Sequence, residues 1–268
     1  VISRRALIGA SAAMAGARLA QAGPLGLALP RNVFAFPAGQ APGYDQNHIA
    51  ASPMMRASAV ATPSGMLSLF RGRATCSGAY IPRITSAGPG LLFYNGMSPY
   101  PYVDIAGLPS ETPTALTFAA IYTPYQSAAY SKVVQNGTTS GNSLMVGALA
   151  PAFNCASGNY YATAVALSIN VPYFLGLSAT ASNIYFVSTN LLTGQIKSST
   201  FSGTYTFTAT GSNICQFGNQ TTGNSSYTAN GTIHAGMFAA SALSLQQLLA
   251  WAADPWSFWY PRRSRFLQ

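Results

Sequence analysis

The chain has 268 residues, 49% of them hydrophobic and only 6% charged, with a formal net charge of +9. That length suits one large β domain with an N-terminal extension, and the apolar, aromatic-rich content excludes a disordered chain. The positive balance does not mark a nucleic-acid binder: arginines gather at both ends, while residues 84–261 hold two lysines against three acids, a net of −1. A phosphate-tracking face needs its cations on the folded body.

Residues 1–22 open with Arg4-Arg5, continue with a small, apolar run from Ala6 to Ala17 and offer Ala20-Gln21-Ala22 as a cleavage site. This resembles a twin-arginine export signal with Arg18 as its departure, or else serves as an N-terminal arm. The run is too short for a stable membrane span. Residues 23–65 carry Pro24, Pro30, Pro37, Pro42, Pro53 and Pro63, too frequent for a long helix or a central strand. They read as an extended linker or arm, which Phe34, Phe36 and Tyr44 pin to the body.

From Met66 onward, short apolar runs alternate with turn chemistry. Strands are predicted at 66–70, 74–80, 90–94, 102–105, 116–122, 130–135, 144–149, 160–169, 173–177, 184–189, 195–201, 205–210, 214–218 and 232–239. Asn95-Gly96, Asn136-Gly137 and Asn230-Gly231 permit left-handed backbone and mark tight reversals. So many short strands imply an all-β fold, an antiparallel β-sandwich. Leu116 to Tyr122 is nearly all apolar and should run through the middle of a sheet, whereas Tyr205 to Thr210 alternates and should wet one face. Asn183 to Thr189, a turn through Gly194, and Gln195 onward read as a hairpin.

Near the C-terminal end, Ser244 with Gln247 three residues later forms a capping box, with Leu243 placed to staple against Leu248. A helix starts at Leu245, carries Leu245, Leu248, Leu249 and Ala252 as one apolar stripe, and stops where Pro255 forces Asp254 out of helical geometry. A helix this short must dock on a larger body, and Trp256, Phe258, Trp259 and Tyr260 supply aromatic area to seal it. A strand ending in Met237-Phe238, a polar turn, this helix and Asp254-Pro255-Trp256 together resemble the closing segment of laminin-G-like, concanavalin A-type jelly rolls. Gly88 to Gly96, an apolar strand ending in Phe93-Tyr94-Asn95-Gly96, is similar to an early strand of that family, and the 183–201 hairpin to its central one. The resemblance implies a jelly roll over residues 66–261, followed by a basic tail at 262–268. Such domains occur in bacterial secreted and phage structural proteins.

Chemistry is sparse. Retaining glycoside hydrolysis with two carboxylates needs them about 5 Å apart, and the acids Asp45, Asp104, Glu111 and Asp254 are scattered. His48 and His234 lack a nucleophile elbow, and His234 within a strand reads as a core or wet-face histidine. Cys76, Cys155 and Cys215 are too far apart in sequence for a zinc motif; they permit one disulfide with a leftover thiol or three buried thiols, the second being the expectation. Many laminin-G-like domains hold calcium, for which Asp104 is the one plausible acid, but no second acid lies near it in sequence. No metal site, no cofactor and no catalytic residue is therefore expected, and the chain reads as no enzyme. Sugar binding asks less: aromatic faces flanked by amides and hydroxyls. Asn159, Tyr160 and Tyr161, and Tyr100 and Tyr102 after the Asn95-Gly96 turn, are the candidates. The sequence thus points to a secreted or periplasmic module that binds a glycan or cell-surface polysaccharide. The alternative is a virion protein contacting neighbouring subunits or the host; glycan cleavage is more remote.

Overall fold

A computed structural model describes residues 49–52, 74–77, 81–96, 100–106, 112–137, 141–209, 214–219 and 225–256. In chain order the strands are β1 (Ile49–Ser52), β2 (Ala74–Ser77), β3 (Ile81–Thr85), β4 (Gly88–Phe93), β5 (Tyr102–Ala106), β6 (Ala115–Pro124), β7 (Ser131–Asn136) and β8 (Ser143–Gly147). There follow β9 (Ala150–Cys155), β10 (Gly158–Tyr161), β11 (Tyr173–Thr180), β12 (Asn183–Asn190), β13 (Ile196–Ser202), β14 (Ile214–Phe217) and β15 (Gly231–Ala239), then one helix, α1 (Leu245–Ala253). They build two antiparallel sheets. The first runs β13-β12-β11-β6-β15-β4-β3, and β1 shares the edge of β15 with β4: β4 takes residues 231–233 and β1 residues 236–239. The second runs β10-β9-β8-β7-β14-β5-β2.

The sheets pack face to face as an all-β sandwich. Phe118 of β6 lies 6.4 Å from Phe153 of β9 and 5.1 Å from Phe238 of β15, ring to ring, and Val103, Val134, Leu144 and Phe217 extend this interior across the second sheet. Helix α1 covers the other face of the first sheet. Leu248, Trp251 and Ala252 settle on Ala119, Ile121, Phe174, Val187 and Met237, so β6 and β15 are covered on both faces and buried almost throughout. The central place predicted for Leu116 to Tyr122 follows from this.

The capping box forms as expected: Gln247 N–H donates to Ser244 Oγ at 3.2 Å, and Ser244 N–H to Gln247 Oε1 at 2.9 Å. Hydroxyls on three neighbouring strands tie down the helix and its approach. Thr117 donates to Ser241 O at 2.7 Å, Ser178 to Leu243 O at 2.8 Å and Thr189 to Ala252 O at 2.6 Å, the last satisfying a carbonyl that the helix end leaves open. The buried stripe differs from the predicted one. Leu245 and Leu249 are half-buried, and Trp251 takes the centre with its ring 5.2 Å from Phe174. Leu-to-Leu spacing located the helix, but the largest side chain set its rotation.

Other differences are informative. Only Tyr160 and Tyr161 of the predicted 160–169 strand are extended in β10; a single 3-10 turn, Thr163–Val165, follows. Residues 205–209 alternate in burial, with Tyr205 and Phe207 inside, yet pair with no strand. Their backbone bonds instead to an amide: Thr208 N–H donates to Asn142 Oδ1 at 2.9 Å and Asn142 Nδ2 to Thr208 O at 2.8 Å. Strands β3 and β9 were missed because Pro82 and Pro151 argue against a strand; β3 tolerates its proline at the edge of the first sheet. Strand β1 falls inside the Pro-rich 23–65 segment. The predicted strand at 66–70, the aromatic residues 258–260 and the segments 1–22 and 262–268 lie outside the described residues.

Cys155 and Cys215 are buried and free. His234 is a core histidine, fully buried, with Nε2 3.1 Å from both Thr85 Oγ1 and Thr123 Oγ1. Among the described residues, no helix is long and apolar enough to cross a membrane.

Candidate functional site

One end of the sandwich gathers the C-terminal ends of β4, β6, β8, β10 and β14 and the starts of β7, β9 and β15. Three connections meet there: the turn after β4 at Tyr94–Gly96, the β6–β7 loop at Tyr125–Tyr130, and the approach to β15 at Ser225–Asn230. Asn230 binds them together. Its backbone is left-handed (φ 50°), a conformation asparagine tolerates, and its carbonyl accepts from Tyr125 N–H at 2.9 Å. Its side-chain Oδ1 accepts from Asn95 N–H and from Gln126 Nε2, both at 3.1 Å, while its Nδ2 donates to Thr228 O at 2.9 Å. The next residue must be glycine for a different reason. A Cβ on Gly231 would stand 2.4 Å from the Tyr122 ring and 2.5 Å from Thr123 O. Asn230-Gly231 is therefore a loop clasp and a close strand approach, not a hairpin turn. Likewise Asn95-Gly96 does not join paired strands, because β4 and β5 belong to different sheets.

These connections enclose a cavity of about 560 Å³, within the roughly 300–1,000 Å³ range of small-ligand sites. Asn95, Gln126, Asn230, Tyr130 and Tyr227 line it together with small residues of the β6–β7 loop. Gln126 Nε2 also donates to Asn95 Oδ1 at 3.2 Å. Among the described residues nothing else pairs with Asn95 Nδ2 or Gln126 Oε1, which leaves one donor and one acceptor for solvent or ligand. Tyrosines surround the amides. The rings of Tyr130 and Tyr227 lie 6.4 Å apart and those of Tyr94 and Tyr125 5.8 Å apart edge-on; Tyr125 is 43% exposed and Tyr130 41%. Two cations lie against these rings, the Arg83 guanidinium 5.2 Å above Tyr125 and the Lys132 ammonium 4.8 Å above Tyr227. Lys132 is buried, donates to Gln135 Oε1 at 2.6 Å, and is pulled down to a pKa of about 8 by desolvation.

The β8–β9 turn supports this end from below. Ala148 and Leu149 both hold left-handed backbone (φ 47° and 64°), and Ala148 N–H donates to Ala128 O of the β6–β7 loop at 2.8 Å. Two successive left-handed residues are what a two-residue hairpin turn requires, yet neither is glycine or asparagine. Ala148→Gly is therefore expected to raise stability by about 1 kcal/mol, read as a higher urea midpoint with an unchanged slope.

The sequence-predicted site residues separate into two groups. Asn159, Tyr160 and Tyr161 lie on β10 at one edge of the second sheet. Tyr102 lies on β5, five strand spacings of about 4.8 Å away, roughly 24 Å, and Tyr100 just precedes it. Tyr161 neighbours the cavity residue Tyr130; burial, and then that neighbour, push its phenol pKa up. Tyr160 instead belongs to an aromatic wall, its ring 5.0 Å from Tyr205 and 6.4 Å from Phe201. Asn159 accepts from Asn154 Nδ2 at 2.7 Å. Strand register puts it in one row with Asn154, Ser143, Gln135, Gln216, Asp104 and Thr75 across all seven strands of that sheet. Asp104, the calcium candidate, is engaged within this row: its Oδ1 accepts from Gln216 Nε2 at 2.7 Å, and burial raises its pKa. Tyr125, Gln126, Tyr130 and Tyr227 were missed. Their one local signal is a pair of tyrosines bracketing a short polar loop, Tyr125-Gln-Ser-Ala-Ala-Tyr130, where no core is available to bury them.

No protein-family model and no curated protein matches the sequence. Solved structures match in fold. Domain 4 of AbnA, an extracellular arabinanase from Geobacillus stearothermophilus, in complex with arabinotriose, aligns over 76% of this chain and 97% of its own at 15% identity, with a TM-score of 0.51. A Trypanosoma rangeli sialidase captured as a covalent intermediate aligns over 94% of this chain and 40% of its own at 11% identity, also with a TM-score of 0.51. The enzymatically active domain of bacteriophage CBA120 tailspike protein 2 aligns over 70% of this chain and 32% of its own at 14% identity, with a TM-score of 0.47. This chain thus spans almost all of the arabinanase domain but well under half of the other two. At these identities the likeness speaks for the fold.

One expectation is overturned here. The chain was read as no enzyme because it lacks paired carboxylates, yet its fold is shared with a sialidase caught in covalent reaction. The physical reason is that not every glycoside hydrolase works through a pair of carboxylates. A low acid count is no ground for excluding catalysis.

Proposed function

We propose that this chain is a glycan-recognising β-sandwich domain that acts outside the cytoplasm, with its binding site in the cavity held by Asn95, Gln126 and Asn230. The observation that carries the reading is the combination of tyrosines at the cavity, Tyr130 exposed and Tyr227 half-buried, with clasped amides. Tyr130 and Tyr227 offer flat apolar faces to a pyranose ring, while Asn95 Nδ2 and Gln126 Oε1 offer a donor and an acceptor to its hydroxyls. The amides are positioned before any ligand arrives, so binding costs little ordering of side chains. The sandwich shared with an arabinotriose-bound domain supports the same reading. We further read the domain as laminin-G-like over residues 66–261, on its capped closing helix and Asp254-Pro255-Trp256, with residues 1–22 as an export signal.

The test is binding of the full chain to a glycan array and to whole cells. Tyr130→Ala and Gln126→Ala are each expected to weaken binding about tenfold, ~1.4 kcal/mol; the melting temperature should change little for Tyr130→Ala, whose ring is exposed, and should fall for Gln126→Ala, which gives up its hydrogen bonds to Asn230 and Asn95. Absence of binding to any glycan or cell surface, or binding indifferent to both substitutions, would sink the proposal.

A further inference from the structure

The described residues contain five charged side chains, Arg83, Asp104, Lys132, Lys197 and Asp254. Two of the three cations lie on tyrosines of the cavity end, Arg83 on Tyr125 and Lys132 on Tyr227. They come from opposite sides, Arg83 from β3 of the first sheet and Lys132 from β7 of the second. The acids are elsewhere: Asp104 is bonded to Gln216 two strands from β7, and Asp254 ends the helix on the outer face of the first sheet. Among the described residues, that sets two cations and no acid against the tyrosines of the cavity end.

The placement of each cation fixes how it acts. Lys132 is 5% exposed while Tyr227 lines the cavity, so the ammonium stands behind the ring and leaves the other face to a ligand. A cation behind an aromatic ring is held by the ring's quadrupole and still projects its field through a poorly solvated wall. Arg83 is half-buried, and its guanidinium over Tyr125 has no ion-pair partner among the described residues. Neither cation need touch the sugar. Together they bias this end of the sandwich toward negatively charged ligands, because like charges gathered at one place raise the local concentration of the opposite charge.

We infer that the glycan taken by this cavity is acidic, carrying a carboxylate on the sugar that stacks against Tyr130 and Tyr227. This rests on the glycan reading above and narrows its ligand class. The carboxylate can belong to a uronic acid or to a sialic acid, and the chemistry of the site is the same for both.

The full chain is tested on an array bearing uronate-terminated and sialate-terminated oligosaccharides, each beside its own methyl ester and beside neutral glycans. The acid form of at least one class is expected to bind about tenfold tighter than its ester, and the ratio should shrink as NaCl is raised, because exposed charge is screened. Which class shows the ratio identifies the source of the carboxylate. Arg83→Gln and Lys132→Met should each cut the acid-to-ester ratio about threefold, and Arg83→Lys should restore it. If Lys132→Met does not fold, the Arg83 pair decides alone. Esters or neutral glycans bound as well as the acids would overturn this inference and leave glycan recognition standing. No binding anywhere on the array would remove both.

Discussion

Asn230→Ala is expected to destabilise the protein by about 2–4 kcal/mol and to abolish measurable glycan binding. Its side chain takes part in three hydrogen bonds joining three separate connections, to Asn95, Gln126 and Thr228. Each is worth roughly 0.5–1.5 kcal/mol net, and alanine adds a left-handed backbone cost of about 1 kcal/mol. Two companion substitutions separate these causes. Asn230→Gly accepts the backbone at no strain and loses only the bonds, so it should be about 1 kcal/mol milder than alanine. Asn230→Asp keeps the acceptor for Asn95 and Gln126, loses the donor to Thr228, and should retain much of the binding. Urea denaturation and the glycan array measure both quantities. If alanine costs less than 1 kcal/mol, the clasp is not what holds this end together.

Trp251→Ala should cost more in stability, about 3–5 kcal/mol or roughly 10 °C in melting temperature, yet leave glycan binding nearly intact below the transition. The indole is 1% exposed, packs at a tilt against Phe174, and donates its N–H to Pro255 O at 3.2 Å. Truncation opens a cavity between helix and sheet and leaves that carbonyl without its donor. A nine-residue helix has little stability of its own, so its attachment carries its folding. The helix lies on the first sheet's outer face and lines no part of the cavity, which is why recognition should survive. A loss under 1 kcal/mol would mean that α1 folds independently of the sandwich.

How much of this was legible depended on whether the signal was local. The capping box needs only four consecutive residues, Ser244 to Gln247, and it was read correctly. So was the hairpin, where Asn190 N–H meets Gln195 O at 2.9 Å across a Gly194 turn. The sandwich followed from strand number and turn spacing. Periodicity failed where a side chain replaced a strand as backbone partner, as Asn142 does for Thr208, and where proline sat inside a real strand, as in β3 and β9. The site was half visible. Asn95 and Asn230 stood out as turn formers, but that each also serves Gln126 depends on contacts spanning 31 and 104 residues, which no window on the sequence contains. Tyr161 was singled out, while its partner Tyr130 was taken as the start of a strand.

Strand β15 lies in the middle of the first sheet, with β6 on one side and β4 and β1 on the other, although it is the last strand in sequence. During synthesis, therefore, β6 and β4 are made long before the element that joins them, and each presents a bare apolar edge until residue 239 has left the ribosome. Folding must wait for that final insertion, and its rate should be set by long loop closures rather than by hairpins. A nascent chain halted before β15 would be open to aggregation at the same edges that the finished molecule keeps sealed.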